Sequence, residues 1–170
     1  MSAESSQHDY VEHVRLAWAR LYPALDVRPI DVIGRITRIS SLALTQLDRE
    51  LDGSGIGRTE FEVLCALARS DHPLRASEVT SVTGISGAST TKHTERLVKL
   101  GLVERQRLER DGRVVLLELT GTGRALVETE FPRRLAREQH MLDGLTDHEL
   151  EVLTGLLRRV AHNVETQTRH

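Results

Sequence analysis

The sequence predicts a mainly α-helical protein with a small β-hairpin wing, arranged as a winged helix-turn-helix with further helices on both sides. Three observations predict this fold class. The hydrophobic period changes from helical to strand-like within residues 86–119. An Asp-Gly pair lies between the two strand-like runs. Basic charge is concentrated there: Ser86 to Arg113 holds seven basic and four acidic side chains, a net charge of +3, whereas the 170-residue chain carries −2.

Residues 86–100 are expected to form the reading helix of this motif. Ser86 is the candidate N-cap, because its side-chain oxygen can accept a hydrogen bond from the first turn. The face expected to pack inward consists of Thr90, Thr94 and Leu97. Gly101 follows where a left-handed residue is least costly, so the helix is expected to end there.

Two strands are expected next, over Val103–Leu108 and Val114–Leu119, around Arg110-Asp111-Gly112-Arg113. Asp-Gly between runs of β-formers is typical of a type I′ turn, which needs positive φ at both central residues. A shorter helix over residues 77–83 precedes the reading helix across Gly84, as in a helix-turn-helix. In such a fold the reading helix enters the major groove, and the hairpin reaches phosphates or the minor groove.

DNA contacts are therefore predicted for small polar and basic side chains of the reading helix and the hairpin. The expected DNA-binding residues are Ser86, Ser89, Thr91, Lys92, Arg96, Lys99, Arg110 and Arg113. The first half of the helix is expected to reach bases or phosphates, whereas Arg96 and Lys99 are expected to anchor phosphates. The two hairpin arginines are expected to be wing contacts.

The flanking segments predict long helices with more apolar surface than one winged helix can cover. These helices are expected over residues 9–21, 29–51, 120–141 and 146–164, the last beginning in a Thr-Asp-His-Glu capping box. Dimeric DNA readers need paired half-sites about one turn apart. The expected partners are therefore a second copy of the chain and a pseudo-palindromic double-stranded operator. A monomeric bundle closing on itself is the alternative.

The chain is accordingly expected to have three parts. Residues 1–55 form an N-terminal extension and helices that contribute to the dimer interface. Residues 56–119 form the winged helix-turn-helix DNA-binding domain, and residues 120–170 form the C-terminal dimerisation helices. No apolar run approaches the roughly 20 residues of a membrane span, and the single cysteine fits a reducing compartment, so a cytoplasmic protein without membrane contact is expected.

Other site classes find little support in the sequence. Cys65 is expected to be buried packing, because no cationic neighbour in sequence would lower its pKa. The eight histidines are scattered over positions 8, 13, 72, 93, 140, 148, 162 and 170, without a paired metal-ligand spacing. No nucleophile elbow, HExxH or P-loop motif is present, so neither an enzyme nor a cofactor is expected. A metal-sensing regulator of the same fold, or an interaction module that has lost DNA binding, stays as the alternative.

Several short motifs resemble one family of regulators. They are Thr91, Glu95-Arg96-Leu97, Gly101-Leu102-Val103, Asp111-x-Arg113, and Leu119-Thr120 followed by Gly123. Through them, residues 56–126 resemble the MarR family of transcriptional regulators. The N-terminal matches are Trp18-Ala19-Arg20, Leu25-Asp26, Pro29 and Val32-Ile33-Gly34-Arg35. These resemble the PecS-like, urate-responsive branch, which carries an extra N-terminal helix.

The resemblance implies a homodimeric repressor released from DNA by a small molecule that binds between the dimerisation helices and the reader. In that branch the ligand-linked residues are a tryptophan, an aspartate and two arginines. The positions that match them here are Trp18, Glu62, His93 and Arg105. Glutamate lengthens the carboxylate, and histidine removes a permanently charged bidentate donor. The resemblance therefore implies a pocket for an aromatic or anionic ligand without selecting urate.

His93 has two interpretations. It is either a half-buried, hydrogen-bonded histidine or a ligand or pH sensor, since imidazole titrates near neutrality. If Glu62 pairs with it, a protonated His93 is expected to favour the compact, DNA-competent state.

Overall fold

The computed structural model describes residues 9–108 and 111–167, and the side chains at 107, 108 and 111–114 are not among the described groups. The helices are α1 Tyr10–Leu21, α2 Arg35–Leu51, α3 Arg58–Ala68, α4 Ala76–Thr83, α5 Gly87–Lys99, α6 Gly121–His140 and α7 Asp147–Gln167. The strands are β1 Leu74–Arg75, β2 Val103–Leu108 and β3 Asp111–Leu119. The mainly helical fold with a small antiparallel sheet is therefore confirmed. The chain divides within α6 into two compact units, Met1–Thr129 and Glu130–His170.

The N-terminal helix is held to the start of α2 by charge and by close packing. Asp9 caps α1, its Oδ1 accepting from the Glu12 N–H at 2.8 Å. The same carboxylate binds the Arg35 guanidinium, with Nε to Oδ2 at 2.8 Å. A single π-helical turn, Ile30–Gly34, leads into α2. A Cβ at Gly34 would lie 2.8 Å from Val11 Cγ1, so only glycine lets α1 come this close.

The core of the first unit surrounds α3, whose apolar side chains are almost wholly buried. Phe61, Val63 and Leu64 have no exposed surface. The same core includes Leu47 and Leu51 of α2, Val79 of α4, Leu97 of α5, and Val103, Leu117 and Leu119 of the sheet. Cys65 is 3% exposed and belongs to this core, as its interpretation as packing predicted.

Helices α4 and α5 form the helix-turn-helix as predicted. Gly84 takes the left-handed conformation, with φ of 69°, and makes the turn between them. Ser86 is the N-cap of α5 and accepts a hydrogen bond from the Ser89 N–H. Thr90 is fully buried, yet its hydroxyl donates to the Ser86 carbonyl and accepts from the Thr80 hydroxyl of α4, both within 3.1 Å. The buried Thr90 hydroxyl on the inward face of α5 is thus fully hydrogen-bonded.

The end of α5 is a Schellman motif. The Gly101 N–H donates to the Val98 carbonyl and the Leu102 N–H donates to the Leu97 carbonyl, each at 3.0 Å, with φ of 70° at Gly101. The chain then enters the sheet, whose strand order is β1-β3-β2 and whose pairs are antiparallel. The two-residue β1 was not predicted, because two residues carry no readable alternation.

The hairpin differs from its prediction at the tip. β3 begins at Asp111 rather than Val114, and a register irregularity between Arg107 and Leu108 pairs Leu108 with Asp111. Asp111-Gly112 therefore lies in the strand instead of forming the two-residue turn, because the extra residues are absorbed by the irregularity. Residues 109 and 110, between the strands, lie outside the described residues.

The sheet is fastened to α6 through Thr120. The Thr120 hydroxyl donates to the Gly101 carbonyl at 2.7 Å and accepts from the Gly123 N–H at 3.0 Å. Gly123 lies directly against the Leu102 carbonyl, where a Cβ would overlap the backbone. Gly123 is thus required by this contact, since neither partner is a movable side chain.

In the second unit, α7 begins with the predicted capping box. The Glu149 N–H donates to the Thr146 hydroxyl at 3.3 Å, and the Thr146 N–H donates to Glu149 Oε2 at 2.8 Å. This helix keeps a row of apolar side chains exposed, Val152, Leu153, Leu156, Leu157 and Val164.

Substitution of Gly123 by alanine is expected to lower the free energy of unfolding by about 3 kcal/mol, because its Cβ must displace the Leu102 backbone. Gly121→Ala is the matched control, since a Cβ there meets nothing within 4 Å. Urea unfolding followed by far-UV circular dichroism measures both. Equal stability of the two variants would contradict the contact.

Candidate nucleic-acid interface and adjoining groove

The outward face of α5 is polar and basic, whereas its inward face is buried. Thr91, Lys92 and Lys99 are exposed, and Ser89 is half-buried at the start of the helix. The Thr91 hydroxyl donates to the Gly87 carbonyl at 3.1 Å. A helix that buries one stripe and presents lysines and small hydroxyls on the other can lie in a major groove.

The hairpin lies at the C-terminal end of this helix. β2 follows α5 after Gly101 and Leu102, and Arg105 is exposed on it, paired in register with Leu117. Of the two predicted wing contacts, Arg110 lies outside the described residues. Arg113 lies in β3, but its side chain is outside the described groups. Their predicted roles stay predictions.

Beneath the basic face, a buried carboxylate meets two side chains of α5. Glu60, in the first turn of α3, is 3% exposed. Its Oε2 accepts from the Gly57 N–H at 2.9 Å and from the Arg96 guanidinium. Its Oε1 lies 3.3 Å from His93 Nδ1, so the imidazole donates if Nδ1 carries the proton. The same Arg96 donates through its second terminal nitrogen to the Gly55 carbonyl at 2.9 Å.

The charge of Glu60 is stabilised by these donors. Burial by itself would raise the pKa of Glu60, but the Gly57 N–H and the Arg96 and His93 side chains together hold it below its ordinary value of 4.5. Glu60 is therefore ionised at neutral pH, and the cluster is a three-donor anion site filled by the protein itself.

Two predicted residues differ from expectation here. The carboxylate that meets His93 is Glu60 rather than Glu62, because residues two positions apart on a helix point in nearly opposite directions. Arg96, a predicted phosphate anchor, binds Glu60 and Gly55 within the domain, while its side chain is 51% exposed. No sequence motif identified Glu60; its only signal is a glutamate at the third position of a helix, which is typical of capping.

A groove of about 390 Å³ opens beside this cluster. It is lined by Asp48, Gly57, Arg58, Thr59, Glu60, Lys92, His93 and Arg96. Arg58 is paired with Asp48 at 3.4 Å, so the cations that face open space are chiefly Lys92 and the outer edge of Arg96. Such a groove suits an anionic group more than an apolar one.

The other predicted ligand residues do not line this groove. Trp18 lies on α1, 46% exposed and stacked on Tyr22 with ring centroids 5.7 Å apart. Glu62 is half-buried on α3, and Arg105 is exposed on β2. Of the four predicted ligand residues, only His93 is a groove residue.

Within residues 9–108 and 111–167, no three histidine, cysteine or acidic side chains come together in a way that could hold a metal ion. None of the described helices is both long enough and apolar enough to cross a bilayer.

Comparison with known proteins places this interface among regulators. Residues 54–114 match the model of the MarR family. The regulator PecS of Dickeya dadantii is 30% identical over 145 residues, which cover 84% of this chain and 87% of PecS.

Solved structures agree with the fold. Bordetella bronchiseptica BpsR, whose DNA binding is regulated by 6-hydroxynicotinic acid, is 28% identical with a TM-score of 0.66, covering 76% of this chain and 92% of BpsR. The DNA complex of Staphylococcus aureus MepR has a TM-score of 0.72 at 20% identity, covering 78% of this chain and 97% of MepR. At that identity MepR supports the fold alone.

The Glu60 cluster is expected to make stability depend on acid pH. A lowered carboxyl pKa contributes stability that is present above the ordinary value of 4.5 and is lost as the pH falls through the folded-state pKa. Glu60→Gln is therefore expected to be less stable than the wild type by about 2 kcal/mol near neutrality, with the difference shrinking in acid. Urea unfolding of both proteins from about pH 7 to pH 3 measures it, and a constant difference would contradict the ion pairs.

Proposed function

The chain belongs to the MarR family of DNA-binding transcriptional regulators, and from that premise we propose that it is a homodimeric repressor whose operator binding is released by a small anionic or aromatic ligand. Its relatives are transcriptional regulators, so the expectation that it is not an enzyme is confirmed. The observation that carries the proposal is the amphipathic α5, which buries Thr90, Thr94 and Leu97 and leaves lysines and hydroxyls exposed.

In the proposed complex, the N-terminal half of α5 reads the major groove and the hairpin follows the neighbouring backbone. Ser86, Ser89, Thr91 and Lys92 contact base edges or phosphates there, and Lys99 contacts a phosphate. Arg110 and Arg113 serve as wing contacts. We propose that Arg96 acts within the domain rather than on a phosphate, because its guanidinium is bound to Glu60 and Gly55.

The apolar surface left exposed supports a dimer. In the first unit, Trp18 and Leu21 of α1, the following Tyr22, and Ile39, Leu42 and Leu44 of α2 are exposed. In the second unit, α7 leaves an apolar row uncovered. Large apolar side chains gathered on helices mark an interaction surface rather than ordinary solvent contact. A second copy would cover them and place two reading helices about one DNA turn apart on a pseudo-palindromic operator.

His93 supports a ligand site, because it belongs to α5 and also lines the groove beside Lys92 and Arg96. An anionic group that reaches Lys92 and the outer edge of Arg96 would lie next to the face that reads DNA. The family resemblance also assigns ligand contacts to Trp18, Glu62 and Arg105. These three residues do not line the groove beside His93. The aromatic carboxylate that regulates BpsR, a 28% identical relative, supports testing ligands of that class.

Two other functions would give different results. A protein-interaction module that has lost DNA binding would show no salt-sensitive affinity for DNA. A metal-sensing regulator would change its DNA affinity with zinc or another divalent ion and without an organic ligand.

Lys92→Ala is expected to change sequence preference as well as affinity, because Lys92 is placed against base edges or adjacent phosphates.

Arg113→Ala is expected to weaken binding to all sequences alike and to lower the slope of log affinity against log salt by about one. Fluorescence anisotropy on the DNA upstream of its own gene and on random DNA, over a salt series, measures both. Unchanged affinity and slope for Arg113→Ala would reject the wing assignment.

Ligand release is expected from aromatic acids that carry a carboxylate. 6-Hydroxynicotinate is expected to lower DNA affinity, whereas its uncharged amide is not, since the groove offers cations. His93→Ala is expected to reduce this response by about tenfold in ligand concentration. His72→Ala is the control, because His72 is exposed in a loop and its described hydrogen bonds are to the neighbouring Ser70 and Pro73. An equal response to 6-hydroxynicotinate in the wild type, His93→Ala and His72→Ala would exclude the groove as the ligand site.

A further inference from the structure

The Glu60 carboxylate connects the start of α3 with α5. It accepts from the Gly57 N–H before α3 and from Arg96 of α5, and it lies 3.3 Å from His93 Nδ1, one turn earlier on α5. Arg96 extends the connection to the α2–α3 loop through the Gly55 carbonyl. Both carboxylate oxygens therefore have partners, and the Glu60 side chain is 4% exposed.

This arrangement restricts the rotation of α5 about its axis. The inward face of α5 is held by Thr90, Thr94 and Leu97, which are small or flexible enough to repack. An ion pair at the edge of that face permits less change, because turning the helix would leave the buried Glu60 carboxylate without its side-chain donors. Lys92 precedes His93 and lies one turn before Arg96, so its position on the helix surface follows from where these two are held.

We propose that Glu60 is a positioning residue for DNA recognition: through Arg96 and His93 it holds the reading helix in the orientation that presents Lys92 and Thr91 to the major groove. The inference rests on the proposed function, since it assumes that this face of α5 reads DNA. It assigns no DNA contact to Glu60 itself, which is 3% exposed.

The sign of the effect separates positioning from simple electrostatics. Removing a negative charge close to a DNA-binding face is expected, from charge alone, to strengthen binding to phosphates. Loss of a positioning bond is expected to weaken binding instead. Glu60→Gln keeps the shape of the side chain and an acceptor for the Gly57 N–H, but it removes the ionic bond to Arg96.

The test measures DNA affinity by fluorescence anisotropy, with far-UV circular dichroism confirming that each full-length variant is folded at the assay temperature. Glu60→Gln is expected to weaken binding about tenfold, without a change in salt slope, because no phosphate contact is lost. Glu78→Gln is the matched control. Glu78 caps α4 in the same way, its Oε2 accepting from the Arg75 N–H at 2.7 Å, and it is exposed. It is expected to change affinity less than twofold.

A double-mutant cycle with Arg96→Ala tests the connection. If Arg96 acts through Glu60, Arg96→Ala costs much less affinity in the Glu60→Gln background than in the wild type. Equal costs in the two backgrounds would show that Arg96 binds DNA independently, and they would overturn the proposal. So would a Glu60→Gln protein that binds DNA as tightly as the wild type or more tightly.

Lys92→Ala distinguishes failure of this inference from failure of the proposed function. If Lys92→Ala weakens binding while Glu60→Gln does not, α5 reads DNA and only the positioning role is wrong. If the wild type binds no DNA at low salt, the proposed function fails and the positioning role fails with it.

Discussion

The opposed faces of α5 are the constraint on which the rest of the structure depends. A helix that reads DNA must expose small polar and basic side chains, yet it must also be held by the domain. α5 meets both needs because its inward stripe pairs Leu97 with two threonines whose hydroxyls bond within the helix-turn-helix. Burial of the threonine methyl groups then stabilises packing without leaving unpaired hydroxyls.

The elements around α5 are positioned by backbone contacts that tolerate little change. The Schellman motif at Gly101 turns the chain directly into β2, and Thr120 bonds the Gly101 carbonyl from the other end of the sheet. Gly123 completes this junction by lying against the Leu102 carbonyl. The wing is thereby tied to the end of the reading helix, so displacement of one displaces the other.

Charge in this domain has two separate uses. On the surface, Lys92 and Lys99 place positive charge on the outward face of α5, within a chain whose net charge is −2. Between α3 and α5, Glu60 and Arg96 form an ion pair in which the Glu60 side chain is buried and the Arg96 side chain is 51% exposed. Basic residues on one helix therefore differ in role according to which partner lies within reach.

Periodicity, capping signals and turn glycines determined much of this protein at the level of sequence. The bounds of α5, its Ser86 cap, its buried stripe, the left-handed Gly84 and Gly101 and the capping box of α7 all follow from local chemistry, which a sequence displays directly. Only the tertiary structure decided that Glu60 rather than Glu62 meets His93, that Arg96 binds Glu60 and Gly55, and that Asp111-Gly112 lies within β3. Each depends on which residues of distant segments meet or on the register of a strand pair, and local spacing carries no information about either.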